Sequence, residues 1–231
     1  MTILKEDLPV FAGSGEFLSG GPIPLEDPNL PRLAGFFQTL KMVLWRPGEF
    51  FRRLRRDGWA EALAFGLMVG TIGFLSFLYW KLLIGVGVSQ QLAEVPGAAQ
   101  ILNLGVGVMV GLMLLAPVIV MADLGLGALG LWVGAALMNG GAASFPAAMR
   151  VIGYAQAGLV AALIPFLGGP LAILWVLGLT YWGAKTVFGL SWGRALGALA
   201  ISLALQALCL LLVLGGLLGL MGLMGVWLLW G

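Results

Sequence analysis

Apolar residues fall along the chain in two regimes. Up to about residue 61 they are sparse and spaced, and from Ala62 onward they form long runs broken by short glycine, proline or polar stretches. A helix needs about 20 apolar residues to cross a bilayer core. The runs predict transmembrane helices at 62–84, 104–138, 146–164, 170–187 and from 195 toward the C-terminus. Lys81 lies near the end of the first run, with Tyr79 and Trp80 as interface residues beside it. The 104–138 run is about 50 Å long at helical rise, too much for one upright span and too little for two with a turn. It is expected as one long helix, tilted or bent around Pro117. Pro165, Gly168, Gly169 and Pro170 make a tight turn between the third and fourth spans. The last run exceeds one span, so its glycine-rich end, closing on Trp227 and Trp230, is expected to extend beyond the membrane or fold along its surface.

Ahead of these runs the pattern changes twice. Residues 1–31 carry Pro9, Pro22, Pro24, Pro28 and Pro31 with Gly13, Gly15, Gly20 and Gly21, a mix that disfavours helix and strand. A flexible polar tail is expected there, with no signal peptide. In 32–60, Leu33, Phe36, Phe37, Leu40 and Leu44 recur at helical spacing. Pro47 restarts the pattern as a second short helix whose Phe50, Phe51, Arg52, Arg53, Arg55 and Arg56 suit a headgroup layer. The expected organisation is thus a tail (1–31), interfacial amphipathic helices (32–60) and a five-span domain (61–231).

Composition sharpens this reading. The chain of 231 residues is 61% hydrophobic and 10% charged, with a mean hydropathy of +1.04. A soluble domain carries about 25% charged residues. The fold class expected is an all-α, polytopic transmembrane helical bundle of five spans with a short N-terminal interfacial amphipathic segment. There is one cysteine and no histidine. No metal site or other cofactor is expected, and the absence of a nucleophile–base pair argues against an enzyme. A net charge of +2 without a basic stripe argues against nucleic-acid binding.

Residues 1–61 hold 16 of the 22 charges, and the remaining 170 residues hold Lys81, Glu94, Asp123, Arg150, Lys185 and Arg194. With five spans, Arg46, Arg52, Arg53, Arg55, Arg56, Arg150, Lys185 and Arg194 fall on one side, while Glu94, the Pro165 turn and the C-terminus fall on the other. The positive-inside rule then places the N-terminus in the cytoplasm and the C-terminus outside. The basic group Arg46 to Arg56 reads either as a topology anchor or as a site for anionic lipid or a partner. Glycines four apart (Gly66 and Gly70, Gly107 and Gly111, Gly130 and Gly134) permit close helix approach, within the bundle or in a homodimer.

Asp123 is the costliest residue to place in a membrane. It lies about 22 Å from the Met138 end of its helix, and Gln206 about 18 Å beyond Arg194, so the two are expected at similar depth. Gln156 is expected nearer the cytoplasmic face, reaching Asp123 only if the helix is strongly tilted. This intramembrane group reads either as a proton or substrate site or as a neutral hydrogen-bonded packing pin. Arg150 and Tyr154, one turn apart, form with Lys185 and Arg194 a cytoplasmic basic rim, read either as topology determinants or as a phosphate or lipid-headgroup site.

At the second-to-third span junction, Ser144, Phe145 and then Arg150, Val151, Ile152, Gly153, Tyr154, Ala155 resemble the signature of the Yip family, the Ypt/Rab-GTPase-interacting multi-pass membrane proteins. Ile164, Pro165, Phe166, Leu167, Gly168, Gly169 with Trp175 resembles that family's proline–glycine turn, and Gly189 to Ala195 its following polar segment. Phe37 to Leu40 with Pro47, Phe50 and Phe51 resembles its opening helix. Pro146 stands where the bacterial pattern often has an acidic residue, and Phe188 where it often has histidine. The resemblance covers about 36–200 and implies five helices, a cytoplasmic N-terminus and a place in the bacterial branch, in a bacterial inner membrane. Eukaryotic relatives act in vesicle trafficking with small GTPases.

Two functions are weighed. The first is a non-catalytic inner-membrane protein that binds or organises membrane lipids, anionic headgroups among them, or a membrane-protein partner through its basic arm. The second is a small carrier or lipid-translocating protein using Asp123, Gln206 and Gln156.

Overall fold

The structure, a computed structural model, describes residues 22–54, 58–91, 98–138 and 143–230. Those residues form eight α-helices: α1 (Arg32–Trp45), α2 (Pro47–Arg52), α3 (Ala60–Gln91), α4 (Ala98–Leu114), α5 (Ala116–Leu137), α6 (Phe145–Ala155), α7 (Gly168–Val187) and α8 (Trp192–Trp230). A 3-10 turn, Pro24–Glu26, precedes α1, and a 3-10 helix, Gln156–Leu163, continues α6. Three helices are long and apolar enough to cross a membrane, over Ala60–Gly87, Ala116–Leu137 and Trp192–Val213, and Gly105–Leu114 is a shorter apolar helix.

Two of the expected spans take other forms. The 104–138 run is divided: α4 ends at Leu114 and α5 restarts at Ala116, with Pro117 in its first turn. Proline lacks the N–H and crowds the preceding turn, which accounts for the break. The ladder still passes through it, from Leu115 N–H to Gly111 O at 3.1 Å and from Ile119 N–H to Leu115 O at 3.0 Å. The third expected span is an α-helix of only 11 residues followed by 8 residues of 3-10 winding. That winding is narrower, and it carries small residues where neighbours close in. A Cβ on Gly158 would lie 2.7 Å from the Val176 backbone of α7, and one on Gly73 of α3 would lie 2.8 Å from Leu159 O.

α6 is the centre of the bundle. All of 147–158 is buried, with α3, α5 and α7 packed around it. Ser144 starts it by accepting from Ala147 N–H at 3.4 Å, with Pro146 in the first turn, where a missing N–H costs nothing. α7 is closed off after Val187 by Gly189, whose φ of +64° suits glycine, and Leu190 N–H reaches back to Lys185 O at 3.1 Å. α8 lies along α5. Gly66 and Gly70 meet α6, α5 and Gln156, and Gly130 and Gly134 meet Ser202 and Ala198 of α8, so these pairs serve packing within the chain. Gly107 and Gly111 have no neighbour within 4 Å of a Cβ position.

The N-terminal arm is part of this core. Residues 22–31, expected as tail, fold against α1: Ile23 is buried, Leu25 N–H donates to Thr39 Oγ1 at 2.9 Å, and Pro24 lies over Gly35. Residues 1–21 lie outside the described residues. The aromatic face of α2, expected in a headgroup layer, is turned inward. Phe50, Phe51 and Leu54 are fully buried, and Phe51 packs on Gly183 of α7. Burying two phenylalanines in protein removes more apolar area from water than an interfacial position would. The arm therefore caps the end of the bundle where α6 and α8 begin and α5 and α7 end.

Candidate functional site

Beneath the arm sits a buried charge cluster. Arg150, on the second turn of α6, is 1% exposed, and Tyr154, one turn on, is fully buried. The phenol stands edge-on to Phe50 at 4.9 Å between ring centroids and tilted against Phe65 at 5.3 Å. Phe65 in turn meets Phe36 of α1 at 5.2 Å. Aromatic walls of this kind exclude water, so a cation among them needs an internal partner. Glu26 supplies it. Its Oε1 accepts from Arg150 Nη2 in a close ion pair and from the Tyr154 hydroxyl at 2.7 Å. Arg150 Nη1 donates to Gly58 O, just before α3, at 3.1 Å. Its guanidinium also stacks toward the Tyr154 ring at 5.9 Å. One arginine thus ties together the 3-10 turn, the start of α3 and α6.

The expected open rim of Arg150, Tyr154, Lys185 and Arg194 is therefore divided. Arg150 and Tyr154 are closed under the arm, while Lys185 and Arg194 are exposed. The reason is burial by the docked segment, which sequence spacing within α6 does not reveal. Of the arm's basic group, Arg46 pairs with Glu49 at 3.6 Å and Arg53 makes a closer pair with the same carboxylate. Arg52 is exposed. Arg55 and Arg56 lie outside the described residues.

The outer face of α1 is a second feature. Leu33, Phe37 and Trp45 are 75%, 59% and 74% exposed, and Lys41 continues the same four-residue ridge. Arg32 and Arg46 flank it and are exposed. Large apolar side chains on one ridge with cations beside them form a surface suited to a lipid headgroup boundary.

The third feature lies inside the bundle. Gln156 Nε2 donates to Asp123 Oδ2 at 3.3 Å. Gln156 is buried, at the point where α6 passes into the 3-10 helix, and Asp123 stands at the accessible edge of α5. The expected depth offset between them came from placing Arg150 at the membrane surface. Arg150 instead lies buried within the bundle, and the hydrogen bond shows that Gln156 and Asp123 do meet. Gln206 packs one turn further along α5, its Nε2 2.9 Å from where a Gly127 Cβ would stand. Next to it, the buried Ser202 hydroxyl donates to Gly127 O at 3.2 Å. Among the described residues no group of three or more His, Cys, Asp or Glu is placed to hold a metal ion.

Glu26 and Gly58 are the functional partners that sequence reasoning missed. The only local signal at Glu26 is an acid directly after an apolar pair of positions, Ile23 and Leu25, within a proline-rich stretch. Compared with known proteins, the chain matches the Yip1 domain over residues 41–214. No curated protein and no solved structure matches it significantly.

Proposed function

Because the chain belongs to the Yip1-domain family of multi-pass membrane proteins, which its match over 41–214 covers for most of its length, we propose that it is a non-catalytic organiser of membrane components that engages anionic lipid through its N-terminal arm. The observation that carries this reading is the outward ridge of α1, where Leu33, Phe37 and Trp45 stand exposed beside Arg32, Lys41 and Arg46. A ridge of that chemistry binds at the headgroup boundary, each nearby cation adding about 1 kcal/mol of attraction to an anionic surface. The family, generally one of non-catalytic, trafficking-related membrane proteins, supports the same role.

The proposed setting is a bacterial inner membrane crossed five times, with the N-terminus in the cytoplasm and the C-terminus outside. Beyond the three long apolar helices, α7 has 20 residues, about 30 Å of helix. α6 and its 3-10 continuation together reach about 32 Å, so both match a hydrocarbon core. Partners of the exposed arm are lipids in the first place, with a membrane protein or a second copy of the chain as further candidates.

The test uses a spin label at Phe37→Cys in a Cys209→Ser background, in nanodiscs. In anionic lipid the label is expected to collide more with oxygen than with a water-soluble nickel chelate. Replacing Arg32, Lys41, Arg46 and Arg52 with glutamine is expected to weaken this. Water-like accessibility in every lipid would refute the reading.

A second reading, a carrier, draws on the Asp123–Gln156 hydrogen bond, since an ionisable group inside a membrane marks a functional site by default. Liposomes loaded with a pH-sensitive dye test its proton form. Flux above empty vesicles that vanishes in Asp123→Asn would favour the carrier, and flux equal to empty vesicles would remove proton transport.

A further inference from the structure

Arg150 Nη2 and the Tyr154 hydroxyl converge on a single oxygen, Glu26 Oε1. Two buried donors, one of them cationic, aimed at one oxygen are the donor set of an anion site. In this chain the carboxylate arrives from a three-residue turn 124 positions away in sequence. That turn is held to the rest of the arm by the buried Ile23, by Leu25 N–H on Thr39 Oγ1 at 2.9 Å and by Pro24 on Gly35. Pro22, Pro24, Pro28 and Pro31 stiffen 22–31 into a strap rather than a regular element.

We propose that Glu26 is the resident occupant of an anion-binding site built by Arg150 and Tyr154, and that the 22–31 strap gives way to admit a phosphate oxyanion in its place. The site survives the exchange because its donors are held from below. Gly58 O keeps Arg150 Nη1 at 3.1 Å, and Phe50 and Phe65 clamp the Tyr154 ring. Withdrawal of Glu26 removes the negative charge on which Arg150 Nη2 and the Tyr154 hydroxyl converge, and an oxyanion restores it. Phosphate fits because its neighbouring oxygens engage the planar guanidinium and the phenol together. The exposed Arg52, Lys185 and Arg194, on the elements that meet at this end, draw anions toward it. The inference is independent of the bilayer-facing ridge of α1, which lies on the outside of the arm.

The experiment compares the full chain, Glu26→Gln, and Glu26→Gln combined with Arg150→Gln. Each is purified in a neutral detergent and titrated by calorimetry with inorganic phosphate and, separately, with dihexanoyl phosphatidylglycerol. Glu26→Gln keeps an oxygen for Tyr154 but removes the competing charge. It is expected to bind at least about ten-fold tighter than the unchanged chain, and the added Arg150→Gln is expected to abolish the gain. Saturation by inorganic phosphate identifies a free anion as ligand, and a response to the lipid alone identifies a headgroup. Equal affinity with and without Glu26→Gln, or a gain that persists without Arg150, overturns the proposal. Hydrogen exchange on the unchanged chain needs no variant to fold. The Leu25 amide is expected to lose protection as phosphate or phosphatidylglycerol is added, and unchanged protection at saturating concentrations of both overturns the proposal.

Discussion

Gly66→Ala tests whether α6 is as tightly enclosed as its geometry indicates. A Cβ at residue 66 would lie 2.8 Å from both Gly153 Cα and Gly153 O, and 3.1 Å from Leu124 Cδ2. Ordinary contact begins at 3.4 Å, so α3 and α6 must separate by about 0.6 Å. The nearest obstacle is the Gly153 backbone, and no side-chain rotation relieves it. Overpacking of this kind costs about 1–3 kcal/mol. The separation also strains the Arg150–Gly58 hydrogen bond, because Gly58 leads directly into α3. Gly107→Ala and Gly178→Ala are the controls, since nothing lies within 4 Å of either Cβ position. They are expected to be neutral, or stabilising by no more than about 1 kcal/mol. Equilibrium unfolding in mixed detergent–SDS micelles, followed by near-ultraviolet circular dichroism, measures all three. Gly153→Ala probes the same crossing from the other side, its Cβ falling 2.8 Å from Ala62 C. The double variant is therefore expected to lose less than the sum of the two, because one separation accommodates both methyl groups. Gly66→Ala as stable as the controls, or strict additivity with Gly153→Ala, would refute the close-packed crossing.

Four further outcomes are expected. Glu26→Ala leaves a buried guanidinium without its carboxylate and is expected to lose about 3–5 kcal/mol in the same unfolding assay in phosphate-free buffer; a loss under 1 kcal/mol would mean that Arg150 is solvated in practice. Ser202→Ala removes the hydroxyl that bonds Gly127 O at 3.2 Å and is expected to lose about 0.5–1.5 kcal/mol, read as an earlier SDS midpoint. Asp123→Asn keeps an acceptor for Gln156 Nε2 and is expected to stay within about 1 kcal/mol of the unchanged chain, whereas a collapse of the fold would show that the charge itself is structural. Alkaline phosphatase fused within the Pro165 turn is expected to be active and, fused at Gly189, inactive; the reverse pattern would invert the proposed orientation.

The long apolar helices were legible because their signal is local: a run such as 62–84 has the length and composition of a span whatever surrounds it. The form of α6 was not, because its shape is imposed by neighbours. Nothing between Gln156 and Leu163 distinguishes a 3-10 from an α winding, and the difference arises where Gly158 and Leu159 meet α7 and α3. On α1 the apolar stripe divides between two surroundings: Phe36, Leu40 and Leu44 pack against the core, while Leu33 and Phe37 are exposed. Leu33, Phe36, Phe37, Leu40 and Leu44 define the stripe, and the innermost residues are Gly35, Thr39 and Val43, roughly 120° around the helix from its centre at 100° per residue. Small residues lie innermost because the Pro24–Glu26 turn occupies the space above Gly35 and Thr39. Glu26 was illegible for a related reason: an ion pair closing 124 residues leaves no periodic trace.

Arg150 bears on orientation as well as on the buried site. As a residue beside a span it was counted among the positive charges that hold one end of the bundle in the cytoplasm. Its burial against Glu26 makes it a fixed internal charge, neutralised by the arm. The positive-inside argument must then rest on cations that stay exposed at that end, namely Arg32, Lys41, Arg46, Arg52, Lys185 and Arg194. Against them stands Lys81, well down α3 toward the opposite end, its ammonium 5.5 Å from the Phe77 ring. Among the described residues, these six exposed cations against one preserve the direction of the argument. They also relocate its cause: the arm that caps the bundle carries four of the six, Arg32, Lys41, Arg46 and Arg52. A chain whose arm failed to dock would keep those charges but lose the Glu26–Arg150 ion pair. In the proposed orientation the same arm serves both roles, its exposed cations favouring the cytoplasmic side and Glu26 closing the bundle over Arg150.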